Sequence, residues 1–181
     1  MNTYISFLRG INVGGHAKIK MKDLAELYES LGLKNVNTYV QSGNVVFESN
    51  GNNINQIIKK IETGIQKKFG LDVKVIIRTP DEIKRIIKNN PFLKRKGVDI
   101  IRLHVTFLSG KPEPALIKGL KVNKKESEEF IISGSEIYLY FPEGMGTAKL
   151  QPGILEKKLN VAATARNWNT VNALAEMANS K

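Results

Sequence analysis

A polar set near the amino terminus has the residue types best suited to binding a small ligand. Arg9 ends the first apolar, β-prone segment of the chain, and Asn12 follows it three residues later. Gln41, Ser42 and Asn44 surround a glycine in a later turn. Because the predicted element order makes the first and third strands neighbours, we expect these side chains at one rim. Their amides and guanidinium suit a planar or phosphorylated ligand, but none is a general base. Alternatively, Gln41 and Asn44 stabilise the turn, and Arg9 pairs with a carboxylate.

Two later cations extend this hypothesis. Lys149 and Arg166 are predicted at the beginnings of helices, where free backbone N–H groups favour anions. Together with the rim they would bind a small phosphorylated metabolite, although a purely structural role fits them equally. Trp168 is expected to anchor the closing helix to the body, with Asn167 or Asn169 as its N-cap.

A glycine-rich loop at residues 10–15 follows the first strand and precedes a helix, as a phosphate-binding loop would. The lysine and hydroxyl residue of the nucleotide-binding signature are replaced here by His16 and Ala17. One interpretation is a tight crossover that uses the conformational freedom of glycine. The other is anion binding by backbone N–H groups, helped by His16, Lys18 or Lys20.

An aromatic and basic sheet face is predicted in the second half of the chain. Alternation places Arg102 and His104 on one side of a strand, and Tyr138 and Tyr140 on one side of a hairpin. Tyrosines beside cations on an open sheet would stack bases as RNA-recognition sheets do, although the characteristic Lys/Arg-Gly signature is missing. The alternative is that this face packs against the closing helices or the other lobe.

The charge balance favours a polyanionic partner. Lys and Arg total 28 against 17 acidic residues, a net charge of +11, and the excess is present both before and after Arg78. The most basic helix face is predicted to carry four lysines: Lys59, Lys60, Lys67 and Lys68. Such a surface suits nucleic acid, but its charge alone does not identify the partner.

Several function classes are excluded or disfavoured. The absence of cysteine excludes disulfides, thiolate metal sites and cysteine nucleophiles. His16 and His104 are the only histidines, and no carboxylate cluster accompanies them, so no metal or cofactor is predicted. Ser42 on a hairpin turn is a poor nucleophile. No apolar run is long enough to cross a bilayer, and no leader is recognisable, which predicts a cytoplasmic protein.

The hydrophobic spacing predicts two α+β lobes, at residues 1–78 and 79–181. The first reads as βαββαβ, the ferredoxin-like order, with antiparallel pairing. Its predicted elements are a strand at 3–9, a helix from 21, a hairpin at 36–47, a helix at 54–69 and a strand at 73–78. The second reads as a helix from 80, a strand at 101–108, a short helix at 114–120, a hairpin at 128–141 and helices at 148–159 and 168–178. The order βαββα thus occurs twice, the second copy without a final strand, as an internal duplication would produce.

Three stretches together resemble a known family. They are FLRGINVGG at residues 7–15, TYVQSGNVVF at 38–47 and TARNWNTV at 164–171, and the segment GMGTAKL at 144–150 fits the same pattern. In this order they resemble the mostly bacterial family catalogued as domain of unknown function 1697. The resemblance implies a cytoplasmic protein of two ferredoxin-like lobes, and it implies no activity, cofactor or catalytic residue.

Three functions follow from the sequence as hypotheses. The leading one is non-enzymatic binding of nucleic acid, most plausibly RNA, through the basic helix face and the aromatic sheet. The second is binding or turnover of a small phosphorylated metabolite at the polar rim. The third is a protein-interaction module whose basic surface only aids solubility.

Overall fold

In the computed structural model, which describes residues 1–180, the chain divides into two compact units. One comprises residues 1–84 and 173–180, and the other comprises residues 85–172. Among the described residues, no helix combines the length and hydrophobicity needed to cross a membrane.

The first unit contains a four-stranded antiparallel sheet of the predicted topology. The strands follow the order β2-β3-β1-β4, so β1 lies in the centre beside β3 and β4. The elements are β1 (Asn2–Leu8), α1 (Met21–Ser30), β2 (Lys34–Tyr39), β3 (Asn44–Ser49), α2 (Ile54–Phe69) and β4 (Val75–Arg78). The βαββαβ order expected from the sequence is confirmed.

The core of this unit lies between the two helices and one face of the sheet. The helices contribute apolar residues spaced three or four apart, which is the period of a helix face: Leu24, Leu27 and Tyr28 from α1, and Ile57, Ile61 and Ile65 from α2. The strands contribute alternate residues, including Tyr4, Leu8, Val45 and Phe47. Asn53 accepts a hydrogen bond from Gln56 N–H at the start of α2, and Gly70 ends it in the left-handed conformation.

The second unit repeats the topology with strand order β6-β7-β5-β8. After α3 (Pro80–Lys88) come β5 (Leu103–Leu108), α4 (Pro114–Lys118), β6 (Glu129–Ser133), β7 (Glu136–Tyr140), α5 (Pro152–Leu159), β8 (Ala163–Asn167) and α6 (Trp168–Asn179). The expectation that this lobe lacks its final strand is wrong, because β8 pairs with β5. Two of its five residues are alanines, which favour strands poorly, so the strand pattern at these positions is weak.

Equivalent backbone hydrogen bonds fix the central strand in each unit. Leu8 N–H donates to Gly43 O at 2.8 Å, and Leu108 N–H donates to Ser135 O at 2.9 Å. Both leucines follow a phenylalanine and precede a chain reversal into the next helix. The units differ in that reversal, which spans residues 9–20 in the first unit but only 109–113 in the second.

Gly43 ties the β2–β3 turn to the loop that follows β1. Its φ is +74°, and a Cβ at this position would lie 2.7 Å from Ile11 Cδ1 and 2.8 Å from Leu8 Cβ. Both the positive φ and the lack of room for a Cβ atom therefore require glycine at this position. Two of the stretches that carry the family resemblance, at 7–15 and 38–47, are thus parts of one packed junction.

We expect Gly43→Ala to destabilise the first unit by about 2–5 kcal/mol, since it adds a positive-φ penalty and a steric overlap. Gly10→Ala is the matched control, because Gly10 has a φ of +70° with open space at the Cβ position. The control should cost only about 1–2 kcal/mol. Denaturant unfolding measures both, and equal losses would contradict the packing role of Gly43.

Candidate ligand-binding site

The loop after β1 has an unusual backbone. Its positive-φ residues are Gly10, Asn12, Gly14, Gly15 and Ala17. Asn12 N–H donates to Ala17 O at 3.1 Å and His16 N–H donates to Val13 O at 3.1 Å, which folds the loop back on itself. We call residues 9–20 the glycine loop.

Asn12 holds the glycine loop in place. Its Nδ2 donates to Ile19 O at 2.9 Å and to Gln41 O at 2.7 Å, and its Oδ1 accepts from Ile19 N–H at 2.9 Å. These bonds join the loop to the β2–β3 turn and occupy both amide hydrogens. Asn12 is therefore a positioning residue.

A pocket of about 610 Å³ opens beside the glycine loop. We call it the loop pocket; it is lined by Asn12, Gly15, Lys18, Ile19, Lys20, Asp23, Gln41 and Phe69. Lys18 and Lys20 are exposed, and within residues 1–180 neither forms an ion pair. Phe69 supplies partly exposed apolar surface, Ile19 lies buried beneath the lining, and Asp23 supplies a carboxylate. Cations thus lie next to an apolar surface in one cavity.

Sequence reasoning did not identify Asp23 and Phe69 as site residues. Phe69 ends the apolar stripe of α2, and Asp23 lies in the first turn of α1, so each fits an ordinary helix pattern. Only the fold of the chain brings them to the glycine loop.

The remaining first-unit rim residues have different environments. Gln41 is exposed and lines the loop pocket, and Arg9 is exposed just beyond the end of β1. Asn44 is fully buried, and its Nδ2 donates to Tyr39 O at 3.0 Å and to Ser42 Oγ at 2.9 Å. Asn44 therefore stabilises the turn and is inaccessible to a ligand.

Arg166 does not lie at a helix beginning. It is part of β8 and only 7% exposed, and its Nη1 donates to Thr164 Oγ1 at 2.7 Å and Ala165 O at 2.8 Å. Burial lowers the pKa of its guanidinium to about 10. The expectation that Arg166 binds an anion at the beginning of a helix is therefore wrong, because this residue is buried in a strand. In contrast, Asn167 caps α6 as predicted, because its Oδ1 accepts from Thr170 N–H at 2.8 Å.

Lys149 also precedes its helix rather than beginning it. The helix expected from residue 148 starts at Pro152, because residues 149 and 150 are bound to Glu128. The buried Glu128 carboxylate accepts backbone N–H bonds from Lys125 at 3.1 Å, Lys149 at 2.8 Å and Leu150 at 2.9 Å. Burial alone would raise the pKa of Glu128, but these hydrogen bonds outweigh it and hold the pKa below its ordinary value.

The predicted aromatic and basic face does not form, because the strand register separates its members. Tyr138 is opposite Val105 and Tyr140 is opposite Leu103, whereas His104 is opposite Leu139. Directly opposed residues share a face, so His104 lies on the other side of the sheet from both tyrosines. Its ring packs against Phe141, and burial lowers its pKa.

The tyrosines are also covered. Tyr138 is 3% exposed, and its hydroxyl donates to Ile86 O at 3.0 Å. Burial, followed by the charge of Glu136, raises the pKa of Tyr138 to about 12. Tyr140 is half-buried, with its ring 5.9 Å from that of Phe92. The expectation of an open stacking surface is therefore wrong, because Tyr138 is buried and hydrogen-bonded to the backbone of α3.

The other predicted cations are accessible. Lys59, Lys60, Lys67 and Lys68 are all exposed on α2, and Lys68 lies 3.9 Å from Glu26. Arg102 is half-buried, and its Nε lies 3.9 Å from the carboxylate of Asp99.

The fold defines a class of α+β proteins with two antiparallel sheets of ferredoxin-like topology. The same overall fold occurs in the conserved bacterial protein SP0830 from Streptococcus pneumoniae, with a TM-score of 0.70, 23% identity and 99% of each chain covered. The chain belongs to the family described as "Protein of unknown function (DUF1697)", whose model matches residues 1–138. No curated protein matches the sequence.

We expect Glu128→Gln to destabilise the protein by about 1.5–3 kcal/mol, because an amide cannot accept all three N–H bonds. Since the folded-state pKa lies below the unfolded one, the carboxylate stabilises the fold above the ordinary glutamate pKa. This contribution is lost as the pH falls through the folded-state value. As the pH falls from neutrality through the range in which glutamate titrates, the free energy of unfolding of the parent should therefore decrease more steeply than that of the variant. Glu126→Gln, at an exposed neighbour, is the control, and parallel pH profiles would refute the assignment.

Tyr138 should behave as a core residue. Tyr138→Phe removes one buried hydrogen bond and should cost about 1 kcal/mol, whereas Tyr138→Ala should cost about 3–5 kcal/mol. Thermal and denaturant unfolding measure both losses. A fully stable Tyr138→Ala variant would show that the ring is dispensable for packing and would restore the open-face hypothesis.

Proposed function

We propose that the loop pocket binds a small phosphorylated molecule. The observation that carries this proposal is the placement of Lys18 and Lys20, without carboxylate partners in the described part of the chain, at one pocket with the partly exposed apolar side chain of Phe69. A phosphate group would receive charge-assisted hydrogen bonds from the lysines. The less polar part of the ligand would rest on the apolar lining.

The contrast between the two units supports this location. Both sheets have the same strand order, but the glycine loop is much longer than the connection at 109–113 and has five residues with positive φ. Functional groups are often carried by loops that a common scaffold positions, and backbone strain concentrates where function requires it. The loop pocket lies beside this added segment.

The lining also restricts the ligand. Asp23 can accept a hydrogen bond from a ligand hydroxyl or amino group, and the Gln41 amide can donate or accept. A phosphorylated compound with further polar groups, such as a sugar phosphate or a nucleotide, combines these features. The lining thus supplies cations, amides and one carboxylate, which are groups that can bind such a compound.

RNA binding through the aromatic sheet is not proposed, because Tyr138 is buried and His104 lies on the opposite face. The lysines of α2 are a separate surface and do not depend on that sheet.

A library of phosphorylated metabolites and their dephosphorylated counterparts, screened by thermal shift, tests the proposal. We expect phosphorylated compounds to raise the melting temperature of the parent protein. We expect calorimetry to show that the Lys18→Gln/Lys20→Gln variant binds these compounds roughly 10- to 100-fold more weakly than the parent does, because two charge-assisted contacts are weakened.

Lys22→Gln/Lys34→Gln is the matched control, since it removes the same charge from exposed lysines outside the pocket lining. Its affinity should remain near that of the parent. Equal binding of dephosphorylated compounds, or equal losses in the two double variants, would refute the proposal.

A further inference from the structure

A second concave surface lies on the first unit, along α2. This groove has a volume of about 400 Å³, and we call it the lysine groove; it is lined by Leu31, Gln56, Lys59, Lys60, Thr63, Gly64 and Lys67. Its residues are separate from those of the loop pocket. A Cβ at the buried Gly64 would lie 3.1 Å from Leu31 Cδ1 and 3.2 Å from Leu27 Cδ1, so this glycine allows α1 and α2 to approach closely.

The polar lining follows the axis of α2. Gln56, Lys60, Thr63 and Lys67 have the i, i+4, i+7, i+11 spacing of one helix stripe, and Lys59 flanks it. Lys60 and Lys67 are separated by about 10.5 Å along the helix axis, at 1.5 Å per residue. The groove therefore presents a row of cations rather than a single charged point.

Negative charge is kept away from this row. Glu62 is the only acidic residue of α2, and its Oε1 accepts from Val75 N–H at 3.0 Å while its Oε2 lies 3.8 Å from Lys74 Nζ. Within residues 1–180, Lys59, Lys60 and Lys67 form no ion pair. Their charge is thus available to an external anion.

We infer that the lysine groove binds the phosphate backbone of nucleic acid without reading its sequence. Lysine is a flexible point charge, which suits repeated phosphates, whereas selective recognition of one group favours the planar fork of arginine. The distance from Lys60 to Lys67 is long enough for each lysine to contact a different phosphate of one strand. No aromatic side chain is among the lining residues, so base stacking contributes nothing here. The net charge of +11 would increase the rate of encounter with such a polymer.

The test is fluorescence anisotropy of labelled single-stranded poly-U over a series of salt concentrations. We expect Lys59→Gln/Lys60→Gln/Lys67→Gln to weaken binding at least 10-fold. The slope of log affinity against log salt should become shallower by about 2, at about 0.7 per lost phosphate contact. All three side chains are exposed, and an unchanged melting temperature confirms that the variant is folded.

Lys118→Gln/Lys157→Gln/Lys158→Gln is the matched control, because it removes the same charge from exposed lysines elsewhere. It should bind within about threefold of the parent and keep the slope of the parent. Equal losses of affinity in both triple variants would show that only the net charge matters, and they would overturn the proposal. Binding by the parent that does not depend on salt would overturn it as well. A labelled polyglutamate of equal charge provides a further arm, and binding as tight as that of poly-U would overturn the assignment to phosphates.

Discussion

The packing of Gly43 against Leu8 and Ile11 is the contact on which the geometry of the loop pocket depends. Gly43 also accepts the N–H of Leu8 at 2.8 Å, so the β2–β3 turn is fixed to the end of the central strand. Asn12 then joins the glycine loop to the same turn through Gln41 O. The turn and the loop therefore form one rigid junction, and this junction holds Lys18 and Lys20 at the pocket although neither lysine takes part in it. Preorganisation of this kind reduces the entropy lost when a ligand binds.

Strand register determines which side chains can act together in the second unit. In an antiparallel pair, a shift of one residue moves every side chain of a strand to the opposite face. Alternation within the sequence correctly placed Tyr138 and Tyr140 together, but it contained no information on whether they face Arg102 and His104. The observed pairing of Val105 with Tyr138 puts the tyrosines among apolar neighbours, where Ile86 O accepts the hydroxyl hydrogen. A surface that would stack bases thus becomes part of a core.

The sequence was most informative where one periodicity extends over a long segment. The apolar spacing of α1 and α2 and the two hairpins were predicted and are observed, and Asn167 is the one of the two candidate caps that the structure uses. Prediction failed for β8, because alanine is a poor strand former and a good helix former. It failed for Arg166 for the same reason, since the missed strand left this residue next to the predicted closing helix. It also missed Phe69 and Asp23, since their proximity to the glycine loop arises from contacts between distant parts of the chain.

A net charge of +11 does not describe one uniform surface, because the cations have different environments. Arg78 is the last residue of β4 and Arg166 the penultimate residue of β8, and both are buried, so these two charges contribute little to an external partner. The loop pocket and the lysine groove instead use lysines without carboxylate partners in the described chain, but in different arrangements. In the pocket two lysines share a cavity with an apolar surface, which selects a compact ligand. In the groove three lysines follow a helix axis, which matches a polymer with regularly spaced charges. The arrangement of the cations, more than their number, therefore separates the two proposed partners.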